Sequence, residues 1–353
     1  MIAAPPVNPV LARELKQRMR GRYVWLVITL YLAVLAVILR WIYVASARDE
    51  FDGGFDLLAS ASAGRAIFQW LLFFMLLLVC FIVPGLTAGA ISGERERQTM
   101  VALQLTLLRP RSIVVGKLLA SLAFVLLLIV ASLPLVTVPF LVGGVSLPEV
   151  VKGLLMVVAT AVTLACLTLA CSAVLRRTQA ATVVAYGLTL ALVLGTLLVY
   201  GAQQVPRRGF GPRPDPWILA LNPFAATADV VQGRNQSSSF TSPFGPLIDL
   251  VRLDENERFT DVISGAGQVE SIQVGPGGTV VVGRAVPATA GAGPGIAFDN
   301  FGQAVPADVG DGQARLAGIR FWVVSLAAWV LMAGLAVALT VRRISLPANR
   351  ESP

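Results

Sequence analysis

Apolar residues gather in six long runs, and shorter polar stretches separate them. A helix needs roughly 20 residues to cross about 30 Å of hydrocarbon, and each run reaches that length. The six runs cover residues 23–45, 67–91, 113–142, 150–175, 180–200 and 321–341. The pattern predicts an all-α polytopic membrane protein with six transmembrane helices.

Prolines interrupt two of these runs. Pro134 and Pro139 lie in the third run, and Pro84 lies beside Gly85 in the second. Proline removes a backbone donor and clashes with the preceding turn of a helix. We therefore expect the third helix to kink or end early near Pro134, and the second helix to bend at Pro84.

Composition supports a membrane setting. Mean hydropathy is +0.75. Hydrophobic residues make up 56% of the chain and charged residues 14%, which is about half the charged share of a typical soluble domain. The sequence therefore predicts a multi-pass protein of the cell membrane that contacts membrane lipid.

Lysine and arginine concentrate in alternate polar segments. They are Arg13, Lys16, Arg18, Arg20 and Arg22 before the first run, Arg95, Arg97, Arg109, Arg111 and Lys117 after the second, Arg176 and Arg177 after the fourth, and Arg342, Arg343 and Arg350 after the sixth. Cationic residues near span ends stay in the cytoplasm, so both termini are predicted to be cytoplasmic. The net charge of +8 then reflects topology, and we expect no nucleic-acid partner.

Residues 8–22 predict a helix that lies on the inner membrane surface. Asn8 suits the N-cap and Pro9 the first helical position, while Leu11, Leu15 and Met19 share one face. A cleaved secretory signal is the alternative, because Ala-Ser-Ala at 45–47 resembles a cleavage site. The apolar run and its leader are longer than such signals usually are.

The long segment between the fifth and sixth runs is rich in Gly and Pro. It predicts a small irregular or β insertion outside the cytoplasm. Residues 217–231 predict a short membrane-surface helix or a re-entrant piece, and residues 269–286 a hairpin around Gly-Pro-Gly-Gly. The predicted divisions are 1–201 for the interfacial helix and five spans, 202–319 for this segment, and 320–353 for the sixth span and tail.

Residues that support catalysis are scarce. The chain has no histidine, which excludes His-based zinc sites and Ser-His-Asp triads. Cys80, Cys166 and Cys171 all lie in apolar runs, where cysteine usually packs as a small apolar residue. We therefore expect no metal site, and no enzyme activity in this chain.

Motifs for nucleotide or proton chemistry are missing as well. Gly116 and Lys117 precede Leu118, without the earlier glycine that a phosphate-binding loop requires. The apolar runs contain no Asp or Glu apart from Glu149 at a boundary, so a proton relay has little support. An energy source for transport would have to come from another subunit.

The segment 91–117 is the most distinctive polar stretch. Its charges cluster at the start, in Glu94, Arg95, Glu96 and Arg97. Leucines and a valine follow, and then Pro110 breaks the pattern before the next helix. The order predicts a short amphipathic element, a turn and a helix start on the cytoplasmic side. Such a loop can dock a partner, or it can simply be a solvated loop that fixes topology.

Two stretches resemble the permease subunits of type-2 ATP-binding-cassette exporters. They are NPVLAREL at 8–15 and ISGERERQT at 91–99, with the later Pro110, Ser112 and Gly116-Lys117. The resemblance covers the N-terminal two thirds and leaves 232–318 largely uncovered. The family usually carries Gly where Gln98 stands here, and often Glu where Val101 stands.

The resemblance implies that this loop is a coupling helix that docks on a cytosolic ATPase subunit, with ATP and Mg bound by that subunit and no cofactor by this chain. The docking residues would be Glu94, Arg95, Glu96, Arg97, Thr99, Met100 and Leu103. A second permease subunit, identical or different, would complete a dimer. The second and fifth spans would line the path, with Phe73, Leu77, Phe81, Thr182, Tyr186 and Thr189 at helical spacing. Helix packing explains the same six residues equally well.

Two other functions remain open from the sequence. A membrane anchor or assembly protein would bind an envelope partner through 202–319 without transport, and a passive channel would conduct without nucleotide. No residue selects among lipid, peptide, polysaccharide, ion and drug cargoes.

Overall fold

The computed structural model describes residues 22–50, 57–98, 110–204, 217–231, 242–245, 247, 272–274, 280–282, 296–298, 304–306, 315–316 and 319–345. The interfacial helix predicted at 8–22 lies almost wholly outside these residues. The main helices are α1 (Arg22–Glu50), α2 (Leu57–Thr87), α3 (Ser92–Glu96), α4 (Pro110–Val142), α5 (Leu147–Val174), α6 (Thr178–Leu190), α7 (Thr196–Gln204), α8 (Pro223–Val231) and α9 (Phe321–Ser345). A π-helical turn, Ala191–Gly195, joins α6 to α7.

Six stretches of the described chain are long and apolar enough to cross a membrane. They are Trp25–Val44, Ala63–Glu96, Arg111–Val142, Leu147–Val174, Thr178–Gln203 and Phe321–Ile344. The prediction of a largely helical protein with six candidate spans is therefore confirmed. The second stretch continues past the end of α2 through a turn into the short helix α3.

The third span does not end early. Helix α4 runs through both Pro134 and Pro139 to Val142, so an early end near Pro134 is wrong, while the alternative, a kink there, stays a prediction. Nearby hydroxyl groups donate to backbone carbonyls, from Ser132 to Ile129 at 2.7 Å and from Thr137 to Pro134 at 2.6 Å. These bonds do not reach the carbonyls of Val130 and Leu135, from which the two prolines remove an amide donor, so packing of α4 against α2 and α5 supports the continued helix. Helix α2 likewise continues past Pro84 to Thr87.

Burial separates three central helices from three peripheral ones. In the most apolar window of each span, the buried share is 56–61% for the second, third and fourth spans, and 17–22% for the first, fifth and sixth. Helices α2, α4 and α5 pack against one another, and α9 packs along α5. The peripheral spans thus present most of their apolar surface outward, where lipid or another subunit would cover it.

A mostly buried segment, residues 217–231, is the next described part of the chain after α7. A 3₁₀ turn, Leu219–Leu221, leads into α8, whose nine residues are all buried. Helix α8 contacts α2, α5 and α9, so it lies between spans rather than outside the bundle.

Short strands follow along the chain: β1 (Ile272–Val274), β2 (Val280–Val282), β3 (Ile296–Phe298), β4 (Ala304–Pro306), β5 (Arg315–Leu316) and β6 (Ile319–Arg320). The first four form an antiparallel sheet in chain order, and the last two form a separate antiparallel pair. In the first pair Ile272 lies opposite Val282.

A small apolar cluster marks the end of the bundle where α3 lies. It contains Ile91, Val114, Leu169, Ala173 and Ile344. These residues come from the turn before α3 and from α4, α5 and α9. Because each side chain is at most 3% exposed, the cluster gives α3 a packed apolar base.

Candidate functional site

The start of α3 is held by a serine from the fourth span. The Ser172 hydroxyl oxygen accepts hydrogen bonds from the backbone amides of Ile91 and Ser92, both at 3.0 Å. Ser172 is 0% exposed. The first amides of a helix have no partner inside the helix, so Ser172 caps α3 from 80 residues further along the chain.

The second and fourth spans also meet through hydroxyl groups, one helical turn before this cap. The Thr87 and Thr168 side chains share a hydrogen bond, and both are buried. Thr87 also donates to the carbonyl of Val83 at 2.8 Å. These contacts tie the last turn of α2 to α5 just before the chain enters α3.

The end of α3 is held by the start of the fifth span. One Glu96 oxygen accepts the backbone amide of Thr178 at 2.8 Å, and the other accepts its hydroxyl at 2.7 Å. Glu96 is the last residue of the second candidate span and is exposed. A carboxylate at a helix N-terminus also meets a favourable dipole.

The middle of α3 is joined to the third span. The Lys117 ammonium donates to Glu94 at 2.8 Å. Lys117 is 2% exposed and Glu94 is partly exposed. Removing one partner from such a pair would leave a poorly solvated charge. Together, Ser172, Thr178 and Lys117 attach the five-residue helix α3 to three different spans.

The last described residue after α3 has an unusual backbone. Gln98 has φ +57°, the left-handed region that favours glycine. Its amide donates to the carbonyl of Arg95 at 3.1 Å, as expected for a residue that ends a helix. The permeases that this chain resembles usually carry Gly at this position, and the positive φ gives the physical reason.

The predicted docking residues therefore divide into two groups. Glu94 and Glu96 contact other parts of the chain, whereas Arg97 is exposed and Arg95 is half-buried. Thr99, Met100 and Leu103 lie outside the described residues. The Glu94 and Glu96 side chains hold α3 in position, and the exposed Arg97 side chain remains accessible to a partner.

Two of the predicted path residues are brought together by the structure. The rings of Phe81 on α2 and Tyr186 on α6 lie 5.5 Å apart, and the Tyr186 hydroxyl donates to the Phe81 carbonyl at 3.0 Å. Phe81 is 68% exposed and Leu77 is 44% exposed. The outward face shared by the second and fifth spans thus contains these three residues.

Other predicted path residues lie in packed positions. Phe73 contacts the rings of Phe224 and Phe244 at 5.1 and 5.7 Å between centroids. Thr189 is buried and donates to the carbonyl of Ala185. Thr182 donates to the carbonyl of Thr178. These contacts are those of helix packing, the alternative that the sequence left open.

Comparison with known families fits this arrangement. A family model described as ABC-2 family transporter protein matches residues 9–258, which is more than half of the chain. The chain belongs to the ABC-2 transporter family. No match was found among curated proteins.

Membership makes this ABC-2 protein a transmembrane component of an ATP-binding-cassette transporter and implies an ATPase subunit as its partner. Proteins of this permease type usually lack an ATPase site of their own. The matched region includes α3 and the helices that hold it, whereas α9 lies beyond it.

The sequence missed three residues that shape this ABC-2 transporter. Ser172 lies in an apolar run, where nothing distinguishes it from a packing residue. Thr178 is the first residue of α6, after Arg177 at the N-cap, and nothing in that position indicated a contact with α3. Asn222 precedes Pro223, and an N-cap residue followed by proline is a helix-start signal.

Asn222 does more than begin a helix. It is 0% exposed. Its side-chain oxygen accepts the amides of Phe224 and Ala225 at 2.8 and 3.2 Å. Its amide group donates to the carbonyl of Val193 at 2.7 Å and to the hydroxyl of Thr196 at 2.9 Å. One side chain thereby caps α8 and supports the π-helical turn of the fifth span.

Proposed function

We propose that this chain is the permease subunit of an ATP-driven exporter, and that α3 is the coupling helix that receives movement from a separate ATPase subunit. The observation that supports this most is the attachment of α3 to three spans. Ser172, Thr178 and Lys117 connect it to the fourth, fifth and third spans. A push on α3 would therefore move several helices together, as rigid-body switching requires.

The partner would contact the exposed side of α3 around Arg97 and the segment 99–103 that follows. Cationic side chains suit charge-assisted contacts to carboxylates on a cytosolic subunit. ATP and Mg would bind to that subunit, and its closure would drive the chain between inward-facing and outward-facing states. Both termini and α3 would then lie in the cytoplasm of a cell whose membrane contains the six spans.

Two such permeases would form the complete path. The first, fifth and sixth spans have outward apolar faces, which gives a second subunit surface to cover. The path would run along the second and fifth spans near Phe81, Leu77 and Tyr186. The aromatic contact between Phe81 and Tyr186 would then change when α3 pulls on the start of α6 through Thr178.

Co-purification with the ATPase subunit tests docking. With a tag on this chain, the subunit should be retained in a nucleotide-dependent manner. Arg97→Glu should weaken its retention at least about tenfold, which corresponds to about 1.4 kcal/mol. Arg343→Glu is the matched control, because Arg343 is also exposed and on the same predicted side of the membrane but lies at the end of the sixth span. If no ATPase subunit is retained under any nucleotide condition, docking is refuted.

Coupling is tested separately from docking. In reconstituted vesicles, Glu96→Gln and Thr178→Val should keep the ATPase subunit bound but reduce nucleotide-driven transport, because the link from α3 to the fifth span is weakened. Unchanged transport in both variants would show that force does not pass through this contact.

A truncation distinguishes transport from the membrane-anchor alternative. Replacing residues 251–313 by a Gly-Ser linker spares Phe244, which packs in the core. A transporter should keep nucleotide-dependent ATPase coupling after this change. An anchor that acts through 202–319 should lose its function while its membrane insertion is unaffected.

A further inference from the structure

An apolar groove lies between the fourth, fifth and sixth spans. Its volume is about 460 Å³, within the range of about 300–1,000 Å³ usual for small-molecule sites. It is open on one side, and its lining is apolar throughout. Representative lining residues are Leu167 and Leu175 on or just after α5, Val184 and Leu188 on α6, and Met332 and Leu339 on α9.

The length of the groove matches one leaflet of a bilayer. From Leu167 to Leu175, and likewise from Met332 to Leu339, a helix rises about 10–12 Å at about 1.5 Å per residue. The hydrocarbon of a bilayer is about 30 Å thick in total, so one leaflet is about 15 Å. A partner's transmembrane helix would need roughly the whole thickness, whereas one lipid chain needs only one leaflet.

Arginines flank one end of the groove. Arg176 and Arg177 directly follow Leu175, and Arg342 and Arg343 lie about one helical turn beyond Leu339. All four are exposed. Residues three and four apart share a helix face, so the two arginines of α9 continue the face that lines the groove. Glu96 lies near Arg177, but its carboxylate is engaged by Thr178.

The same end of the groove lies beside α3. Ile344, the residue after Arg343, packs with Ile91 and Ala173 in the small apolar cluster under α3. With α3 in the cytoplasm, the arginine end faces the cytoplasmic leaflet. Basic sites between helices at that level bind anionic lipid headgroups, and each nearby Lys or Arg contributes about 1 kcal/mol.

We infer that this groove binds one anionic phospholipid of the cytoplasmic leaflet, with an acyl chain between α5, α6 and α9 and its phosphate at the arginines. The inference depends on the spans crossing a membrane with α3 on the cytoplasmic side, as proposed above, and not on ATP coupling. The bound lipid would fill the space where the fifth span approaches the sixth, and it would thereby hold those two peripheral spans against α5.

Native mass spectrometry of the full-length protein tests the site. The protein is purified in detergent and titrated with phosphatidylglycerol and phosphatidylethanolamine that carry the same acyl chains. We expect the anionic lipid to bind more tightly. Arg343→Gln should weaken it about fivefold and Arg177→Gln with Arg343→Gln about 30-fold, with little change for the zwitterionic lipid. Arg111→Gln, an exposed arginine at the start of α4, should have no effect.

A second pair of variants tests the groove itself. Ala170→Trp should fill the groove and abolish binding of both lipids. Val330→Trp adds the same side chain at a 70% exposed position of α9 and should leave binding unchanged. If Ala170→Trp does not fold, Ala170→Leu should reduce binding partially, and the arginine variants give an independent result.

Two outcomes would overturn the inference. If the Arg177 and Arg343 double variant keeps the anionic preference, or if Ala170→Trp retains as much lipid as the unchanged protein, the groove is not a specific lipid site. If Ala170→Trp instead converts a dimer into a monomer and leaves lipid binding intact, the groove is an interface between copies of this chain.

Discussion

Removing the Ser172 hydroxyl should release α3 from the fourth span. In Ser172→Ala, the amides of Ile91 and Ser92 lose their acceptor in a buried position. An unsatisfied buried group costs about 1–3 kcal/mol and a lost helix cap about 1 kcal/mol. When α3 opens, these amides bond to water, so the loss affects only the closed state. We therefore expect the free energy needed to open α3 to fall by about 2 kcal/mol.

Hydrogen exchange with mass spectrometry measures this change directly. A loss of about 2 kcal/mol corresponds to about 30-fold faster exchange, since each 1.36 kcal/mol is tenfold. The effect should appear in peptides that cover residues 88–98 and be small in peptides from the centre of α5. Local opening of this kind occurs without global unfolding.

Ser121→Ala is the matched control. Ser121 is buried, but its hydroxyl donates to carbonyls of its own helix, those of Lys117 and Leu118. Its removal leaves no backbone amide without an acceptor, so exchange in 88–98 should not change. Equal exchange in Ser172→Ala and Ser121→Ala would refute the capping role of Ser172.

Three further predictions follow from other contacts. Gln98→Gly should stabilise the end of α3 by about 1 kcal/mol, because glycine adopts positive φ without strain, and slower exchange in 92–98 would show it; unchanged exchange would contradict it. Asn222→Ala should lower the free energy of unfolding by about 2–4 kcal/mol, and with it the melting temperature, because it removes a helix cap and the donor to the Val193 carbonyl. An unchanged melting temperature would refute this. Lys117→Met should lower the free energy of unfolding by about 2 kcal/mol, because the charge on Glu94 loses its Lys117 partner. Adding Glu94→Gln should restore part of the loss. Further destabilisation by the second change would show that this ion pair does not stabilise the protein.

The six spans could be predicted from the sequence because crossing a bilayer is a local requirement. A run of about 20 apolar residues satisfies it whatever the neighbouring helices do. The position of the loop proposed for docking followed for a similar reason, since Glu94 to Arg97 are too polar for hydrocarbon. The glycine-like backbone at Gln98 was visible only indirectly, as a difference from the residue usual in similar permeases.

The early end of α4 was not observed, because the rule for proline considers only one residue and its own turn. Pro134 removes a backbone donor from its own helix. The helix packs against both α2 and α5. Tertiary contacts thus compensate for the local loss, and the helix continues to Val142.

The tertiary structure alone decided which polar residues meet. Ser172 and Thr178 reach α3 across about 80 positions of sequence, and Asn222 reaches the π-helical turn from outside the fifth span. In a soluble helix, an apolar stripe shows which face is buried. In spans that are apolar on all sides that signal is absent, so the rotation of each helix depends on packing. The sequence therefore determined where the chain crosses the membrane and which polar loop is proposed for docking, and the packing of the spans determined how that loop is attached.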